Sequence, residues 1–331
     1  MATIGDTYLS IADVYRRTQR DEIADVIELL AETNEMLQDM IMVECNDGTT
    51  HLTTTRTGLP AVTWRKLYQG VQPSKSTTRQ VRDATGMAEA RSQIDEALVK
   101  MSANPSKLRL TEATAFLEAM NIEVQEKLIY GSTKNSPEQF TGFMPRFDSL
   151  SAENKSQIVD AGGTGNDNTS ILFVVWGERT SHGLYPKGTT AGIERSDRGR
   201  VDATDENGGK YDALEEVFKW NPGLSVRDWR YVARIANIDV SELRAGNVDL
   251  YKLMTTAFYR LRQRKVIGGR AAIYCNVDVL ETLDQLATNR GVPDNFIRLK
   301  TTEIEGQEIK TYRGIPVRQV DAILNTEARV V

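Results

Sequence analysis

The sequence has few of the residues that carry most enzyme chemistry. Its 331 residues include two histidines and two cysteines. A Ser-His-Asp hydrolase or a histidine-ligated metal enzyme would have to use His51 or His182. His51 lies in a threonine-rich run that predicts an exposed β-strand, and His182 lies in a segment typical of turns. Cys45 and Cys275 are too few for a disulfide scaffold or a structural zinc site. We therefore expect no catalytic residues, no cofactor and no bound metal.

A long apolar run and an excess of positive charge are also missing. No run approaches the roughly 20 apolar residues of a membrane helix, and residues 1–6 lack the basic and apolar regions of a signal peptide. The 41 Lys and Arg against 46 Asp and Glu give a formal net charge of −5. This balance argues against a protein whose main task is to coat nucleic acid. We expect a protein made in a cytoplasm, with only local contact to nucleic acid.

Three polar motifs suggest ligands but lack the required pattern. The glycines of residues 162–165 are not followed by the Gly-Lys-Ser/Thr ending of a phosphate loop, so they predict a connector. Residues 202–206 contain three acids without the ligand spacing of a calcium loop. The basic run 259–265 either contacts phosphate or only caps a helix and is solvated.

What the sequence does contain is 40% hydrophobic residues, enough for a sizeable core, and an uneven distribution of charge. Residues 1–45 carry ten acids and three arginines, whereas residues 46–110 carry ten bases and five acids. Apolar residues at three- and four-residue steps predict a helical arm between residues 20 and 43. This apolar stripe consists of Ile23, Val26, Ile27, Leu30, Leu37, Met40 and Ile41.

Residues 46–85 are too polar to bury a core of their own. They are rich in Thr, Arg and Lys, with Trp64 and Tyr68 among the few large apolar side chains, and they predict a long exposed β excursion. An acidic arm followed by a basic loop suggests contact between opposite charges of different copies. The alternative is that these charges are simply solvated, because exposed ion pairs contribute little individually.

Two helices and a ribbon are predicted next. Met87, Ala90, Ile94, Leu98 and Met101 predict a helix over 87–101. A longer helix begins at the N-cap Thr111, ends at Gly131 and forms a structural spine. Residues 170–176 predict a buried strand. Residues 211–238 predict an antiparallel ribbon, and its side chains on one face are Trp229, Tyr231, Ala233 and Ile235.

The last third of the chain has the alternating helix and strand pattern of an α/β layer. The pattern predicts a helix over 250–261, a strand over 270–275 and a helix over 276–289. A hairpin turns at residues 305–306. Residues 314–318 predict an edge strand, because Pro316 cannot donate a hydrogen bond to a ladder.

This order of parts, together with a set of turn and packing motifs, resembles the major capsid proteins of tailed bacteriophages with the Johnson fold, specifically those of short-tailed phages. The resemblance covers roughly residues 13–328. The motifs that carry it are Tyr130 with Gly131, 140–143 (FTGF), 175–177 (VWG), 183–188 (GLYPKG), Trp220, 223–231 (GLSVRDWRY), 234–239 (RIANID) and 313–317 (RGIPV).

The resemblance implies an α+β fold in a rewired strand order. It divides the chain into an N-terminal helical arm (1–45), an extended β loop (46–85), a peripheral domain with the spine helix and a long β ribbon (86–239), and an axial domain (240–331). Lys66 and Lys75 lie where some relatives cross-link neighbouring subunits, but no matching local motif supports such a bond here.

The resemblance also implies a function. Copies of the chain would form the pentamers and hexamers of an icosahedral head around double-stranded DNA, in the virion, after assembly in the bacterial host cytoplasm. Implied partners are other copies of itself, a separate scaffolding protein because no coiled-coil region precedes the arm, a portal, a decoration protein and the packaged DNA. We expect no membrane partner.

Two other functions remain open from the sequence. One is an encapsulin-like bacterial compartment with the same fold, which would carry an enzyme cargo instead of DNA. The other is an unrelated α+β enzyme or binding module, which would need a polar cleft. For the capsid we expect inter-subunit contacts between bases of the loop and acids of an adjacent arm. The bases are Arg65, Lys66, Arg79 and Arg82, and the acids are Glu28, Glu32 and Glu35.

Overall fold

A computed structural model describes residues 35–101, 105–204, 208–261, 269–288, 299–304 and 307–331. Six α-helices lie in these ranges: α1 Glu35–Asp39, α2 Glu96–Met101, α3 Pro105–Tyr130, α4 Val240–Arg244, α5 Leu250–Arg260 and α6 Val277–Thr288. The strands are β1 Met42–Glu44, β2 Thr50–Gly58, β3 Thr77–Ala84, β4 Ala88–Asp95, β5 Ile158–Asp160, β6 Asn168–Trp176, β7 Ser181–Tyr185, β8 Glu194–Thr204, β9 Lys210–Trp220, β10 Gly223–Val226, β11 Val232–Asp239, β12 Arg270–Cys275, β13 Lys300–Ile304, β14 Gln307–Tyr312 and β15 Ile315–Gln319.

The strands form three sheets. A ten-stranded sheet runs β1-β7-β6-β12-β15-β14-β13, and β10 pairs with β7, β11 with β6, and β5 with β11. A three-stranded sheet has the order β4-β9-β8, and β2 pairs with β3 as a separate hairpin. The mixture of sheets and helices confirms the predicted α+β class.

Strand β6 divides the apolar core in two. All nine of its residues are buried, and successive side chains of a strand point to opposite faces. Leu172, Val174 and Trp176 therefore join one cluster with the spine helix α3. Ile171 and Phe173 join a second cluster under α4, α5 and α6. Burial on both faces explains the continuous apolar run that predicted this strand.

The spine helix ends where predicted but begins earlier, at Pro105 instead of after Thr111. Pro at the first helical position costs no hydrogen bond, because that N–H has no helical partner in any case. At the other end, the amide of Gly142 donates to Gly131 O at 2.8 Å and that of Phe143 donates to Leu128 O at 2.9 Å. These bonds satisfy carbonyls that the last turn of a helix leaves unpaired.

Gly142 is required by this close approach. A Cβ at position 142 would lie 2.6–2.8 Å from the carbonyl oxygens of three residues in the last turn of the helix. The FTGF motif is therefore the C-terminal cap of the spine.

The predicted helix over 87–101 is wrong in its first half. Residues 88–95 form β4, which pairs along its whole length with β9. Their exposure alternates strictly, with Glu89, Arg91 and Gln93 outward. Small apolar residues such as Ala90 fit both a helical and a strand period, and pairing with a long neighbouring strand decides between them.

The predicted ribbon over 211–238 is also wrong beyond Trp220. Strand β9 pairs with β4 and β8, whereas β10 turns back onto β7 and β11 pairs with β6 and β5. Between them, residues 229–231 form a 3₁₀ turn whose N-cap, Asp228, accepts a hydrogen bond from the Arg230 amide at 3.0 Å. Trp229 and Tyr231 therefore do not share a strand face with Ala233 and Ile235.

The last third matches its prediction except for one strand. Helices α5 and α6 and strand β12 are confirmed, and β13 pairs antiparallel with β14 as the hairpin requires, although residues 305–306 lie outside the described ranges. Strand β15 is not an edge, since it lies between β12 and β14. Pro316 is tolerated because it stands opposite Thr311, one pair beyond a two-residue turn, where an antiparallel ladder makes no hydrogen bond.

The sheet includes strands from both sides of residue 239, so the division into peripheral (86–239) and axial (240–331) domains stays a prediction. The part of the predicted arm helix between residues 20 and 34 lies outside the described part of the chain. Within the described part, α1 ends at Asp39 and is followed by β1, so the predicted helix to residue 43 is too long. Among the described residues, no helix is long and apolar enough to cross a membrane.

A buried polar network ties the spine helix, the sheet and the last residues together. Glu327 Oε2 accepts from Arg234 Nη2 at 2.8 Å and from the Ser170 hydroxyl, and Oε1 accepts from the Tyr130 hydroxyl at 2.6 Å. Arg234 also donates to Phe147 O at 2.7 Å. Both charged side chains are only 4% exposed. Removing one partner of such a pair is strongly destabilising, because the other partner then remains as an uncompensated charge in the interior.

We predict that Glu327→Ala lowers the free energy of unfolding by about 3–5 kcal/mol, because Arg234 loses its buried partner. Urea denaturation of the unassembled full-length chain measures this. Glu153→Ala is the matched control: its partner Arg79 lies 3.5 Å away and both side chains are about two-thirds exposed, so the loss should stay below about 1 kcal/mol. Equal losses for the two variants would contradict the assignment.

Candidate inter-subunit surface

Strands β2 and β3 form an antiparallel hairpin that pairs from Thr50 opposite Ala84 to Gly58 opposite Thr77. We call residues 59–76 between them the hairpin tip. Its side chains are exposed except that of Ser76, which is partly covered. The predicted long exposed β excursion is thus present.

The hairpin tip exposes large apolar side chains. Trp64 is 98% and Tyr68 is 102% exposed, although aromatic side chains gain roughly 1.5–3 kcal/mol when fully buried. The others are Leu59, Val62, Leu67 and Val71. Tyr68 has a φ of 63°, in the left-handed region that residues other than glycine rarely adopt. A surface of this kind on a polar loop is typical of a contact with another protein.

The base of the hairpin is held firmly to its own body. Asp83 accepts from Arg146 Nη2 at 2.9 Å and from the Ser225 hydroxyl at 2.8 Å. The Thr55 hydroxyl donates to Arg227 O at 3.0 Å, and the Lys187 amide donates to Gly48 O at 2.9 Å. The hairpin is therefore anchored at one end and free of its own body at the other.

The predicted basic contact residues fall into two groups. Arg65 and Lys66 lie on the hairpin tip, are exposed, and take part in none of the ion pairs found between described residues. Arg79 lies 3.5 Å from Glu153, and Arg82 lies 3.3 Å from Asp47, both within the same chain.

The predicted acidic partners are described only in part. Glu28 and Glu32 lie outside the described residues. Glu35 begins α1 and is half-buried, with burial raising the pKa of its carboxyl and the nearby Arg318 opposing that rise. Glu35 is therefore directed at its own subunit.

The two histidines differ from their prediction. His51 is buried instead of exposed, and His182 lies on strand β7 instead of in a turn. Their ring centroids are 5.5 Å apart with nearly perpendicular planes. Burial lowers the pKa of His51, and burial followed by the His51 ring lowers the pKa of His182 to about 4. Both rings are neutral at pH 7.

The described residues contain no group of three or more His, Cys, Asp or Glu that could hold a metal ion. Burial raises the pKa of Cys45 to about 11 and that of Cys275 to about 12, so both thiols are protonated and poor nucleophiles. In the predicted basic run 259–265, Arg260 donates to Ile158 O and so has a structural contact, while residues 262–265 lie outside the described ranges.

Sequence reasoning missed most of the apolar tip. It identified Trp64 and Tyr68 but not Leu59, Val62 and Leu67. The signal was available, because these residues stand in a stretch with neither strand nor helix periodicity and with two prolines at 60 and 73. Such a stretch cannot bury a core of its own.

Comparisons with known proteins point in one direction. A family model described as major capsid protein GP7 matches residues 18–331. A chain in the cryo-EM structure of bacteriophage Epsilon15 is 39% identical, with a TM-score of 0.70 and coverage of 100% of this chain and 99% of that one.

Two further structures are more distant in sequence. The capsid of bacteriophage JBD30 is 9% identical with a TM-score of 0.50, covering 87% of this chain and 90% of that one. The SrpI encapsulin of Synechococcus elongatus PCC 7942 is 10% identical with a TM-score of 0.41, covering 62% and 87%. No curated protein matches the sequence.

Proposed function

This chain belongs to the major capsid protein GP7 family, and on that premise we propose that its hairpin tip lies on a neighbouring copy and helps to close the shell. As a family member and a close relative of the Epsilon15 protein, the chain is a structural protein of a phage head and not an enzyme. It resides in the virion and assembles with copies of itself. The proposal concerns how these copies hold one another.

The observation that carries the proposal is the contrast between the two ends of the hairpin. Its base makes charged and backbone hydrogen bonds to the body, whereas its tip exposes two aromatic and several aliphatic side chains. A partner surface would remove this apolar area from water. Copies joined in this way would form the pentamers and hexamers of an icosahedral head, with obligate contacts that commonly exceed about 2,000 Å².

We predict that Trp64→Ala with Tyr68→Ala raises the concentration of chain needed for shell formation by at least about tenfold, the equivalent of about 1.4 kcal/mol per contact. The aromatic side chains would otherwise be buried between copies. Sedimentation and negative-stain microscopy of the chain co-expressed with the neighbouring gene products measure shell yield.

Thr63→Ala, directly before Trp64 and also exposed, is the control and should leave shell yield unchanged. The double variant should also keep the unfolding free energy of the unassembled chain, because Trp64 and Tyr68 contact little of their own subunit. Normal shell yield from the double variant would refute the contact.

The charges of the hairpin support the same arrangement. We propose that Arg65, Lys66, Arg79 and Arg82 face acids of an adjacent copy, among them Glu28, Glu32 or Glu35. Glu35 is the weakest of these three candidates, because it is half-buried in its own subunit. Arg65 and Lys66 are the stronger candidates, since Arg79 and Arg82 already have carboxylates within their own chain. Complementary charge of this kind selects the partner and the register of the contact.

We predict that Arg65→Glu with Lys66→Glu reduces shell formation, and that Glu28→Lys with Glu32→Lys partly restores it, because the swap makes the charges complementary again. Shell yield and the salt dependence of assembly are the measurements.

Lys75→Glu, on the same exposed tip, controls for the loss of positive charge alone and should have a smaller effect. If the reversal at Arg65 and Lys66 leaves shell yield and shell stability unchanged, these residues do not form the contact.

Other partners follow from the shell's geometry. Pentamers and hexamers require one chain to make similar contacts at different curvatures, which a single surface does not specify. We therefore propose a separate scaffolding protein, a portal at one vertex, a possible decoration protein and non-specific contact with packaged DNA, with assembly in the host cytoplasm. The division into arm, extended loop, peripheral domain and axial domain belongs to the same proposal.

We predict that the chain expressed alone gives few closed shells of uniform size, and that adding the scaffolding gene product raises their yield severalfold. Negative-stain microscopy of both preparations gives the count and the diameters. Efficient formation of uniform shells from the chain alone would remove the need for a scaffold.

A further inference from the structure

Two cross-strand pairs meet where the hairpin joins the body. On the hairpin, His51 of β2 stands directly opposite Asp83 of β3. On the ten-stranded sheet, His182 of β7 stands directly opposite Ser225 of β10. The two pairs are joined by the perpendicular contact of the imidazole rings and by the hydrogen bond from the Ser225 hydroxyl to Asp83. Each half of this contact therefore comes from a different sheet.

The imidazole nitrogens at this contact are poorly satisfied. Nδ1 of His51 and both ring nitrogens of His182 are buried and have no hydrogen-bond partner among the described residues. A neutral ring tolerates this environment at a modest cost. A protonated ring would carry a buried charge, which is far more costly, and the backbone of Glu44 near His51 and of Gly177 near His182 offsets only part of that cost.

The surrounding charges do not compensate a protonated ring. Asp83 is the carboxylate that favours protonation of both rings, but Arg146 already engages it at 2.9 Å. Arg227, on the segment after β10, disfavours protonation of both. Glu44, on β1, directs its carboxylate to the Gly188 amide at 2.8 Å.

We propose that His51 and His182 form an acid-sensitive latch: neutral rings hold the base of the hairpin against the ten-stranded sheet, and protonation releases it. Release would also break the hydrogen bonds that Asp83 accepts from Arg146 and Ser225 and the one that Thr55 donates to Arg227 O. It would leave the hairpin tethered by the pairing of Thr85 with Gly223 and the Gly86 amide bonded to Pro222 O at 2.8 Å. The hairpin could then change its angle without unfolding of the core. The latch concerns the base and is independent of what the tip contacts.

The direction of the pH dependence follows from linkage. The docked His182 ring has a pKa of about 4, against 6.5 for an exposed ring. Above pH 6.5 both docked and released rings are neutral, and the contact is fully present. Between pH 6.5 and about 4 only the released His182 ring takes up a proton, so release becomes up to about tenfold more favourable per pH unit. Burial also lowers the pKa of His51, which adds to release in the same direction.

Hydrogen exchange of the full-length chain, both unassembled and in shells, tests the latch. Exchange rates are corrected for the intrinsic pH dependence of the amide. We expect protection of residues 50–58 and 77–84 to fall at least about tenfold between pH 7.5 and 4.5, while the buried strand 168–176 keeps its protection. This comparison uses the wild-type chain alone and needs no variant.

Variants identify the responsible groups. His51→Phe with His182→Phe keeps two rings in contact but removes both titrating groups, so protection of the hairpin should become independent of pH. Asp83→Asn removes the ion pair with Arg146, so the hairpin amides should lose protection at both pH values. The exchange rates of this variant serve as the reference for the released state. If the double variant fails to fold, the single change His182→Gln should reduce the pH response of the hairpin, with His51 left as the one titrating ring.

Four outcomes would overturn the proposal. They are equal protection of the hairpin at both pH values, a loss of protection that includes residues 168–176, an unchanged pH response in the phenylalanine variant, and a stoichiometric transition metal in the wild type that the variant lacks. The last would make the two histidines metal ligands instead of a latch.

Discussion

The buried ion pair of Arg234 and Glu327 is the constraint that joins the separate parts of this subunit. It connects the end of the spine helix through Tyr130, the central strand through Ser170, and the loop after the helix through Phe147 O. A charged pair in the interior contributes little net stability compared with an apolar one. It does demand one geometry, however, since any other arrangement leaves a charge or a hydroxyl unsatisfied. The network therefore specifies how the spine crosses the sheet.

On this fixed body, the extended hairpin is a separate structural unit. Its two strands pair with each other along the whole ladder and contact the rest of the chain at their base. The subunit thus combines a core that has a single arrangement with a hairpin whose apolar tip packs on no surface of its own subunit among the described residues. This combination suits a protein whose stable state is a shell, because contact with another copy stabilises the subunit that it binds.

Long, strongly patterned segments were predictable from the sequence. Three features each had a distinct sequence pattern that allowed one prediction. They are the doubly buried strand β6, the amphipathic helices α5 and α6, and the glycine that ends the spine helix. The segment 88–95 was not predictable, because alanines there fit two periods and the choice depends on β9, more than a hundred residues away. The histidine contact was hidden for the same reason: His51 and His182 meet only through tertiary structure.

The predicted contact surface shows the same limit. Clusters of basic residues in a core-less loop were visible in the sequence, but which bases have partners in their own chain was not. Arg82 pairs with Asp47, which precedes the hairpin, and Arg79 pairs with Glu153, in a loop after the spine helix. Charge counting cannot separate these from Arg65 and Lys66, since all of them stand in the same polar stretch.

Arg146 gives the hairpin a mechanical property. Its guanidinium donates to Asp83 of the hairpin, to Leu224 O of the sheet at 3.0 Å and to Thr141 O at 3.1 Å. Thr141 directly precedes Gly142 in the cap of the spine. A force applied at the hairpin tip would therefore be transmitted in part through Arg146 to the spine helix, the longest helix among the described residues.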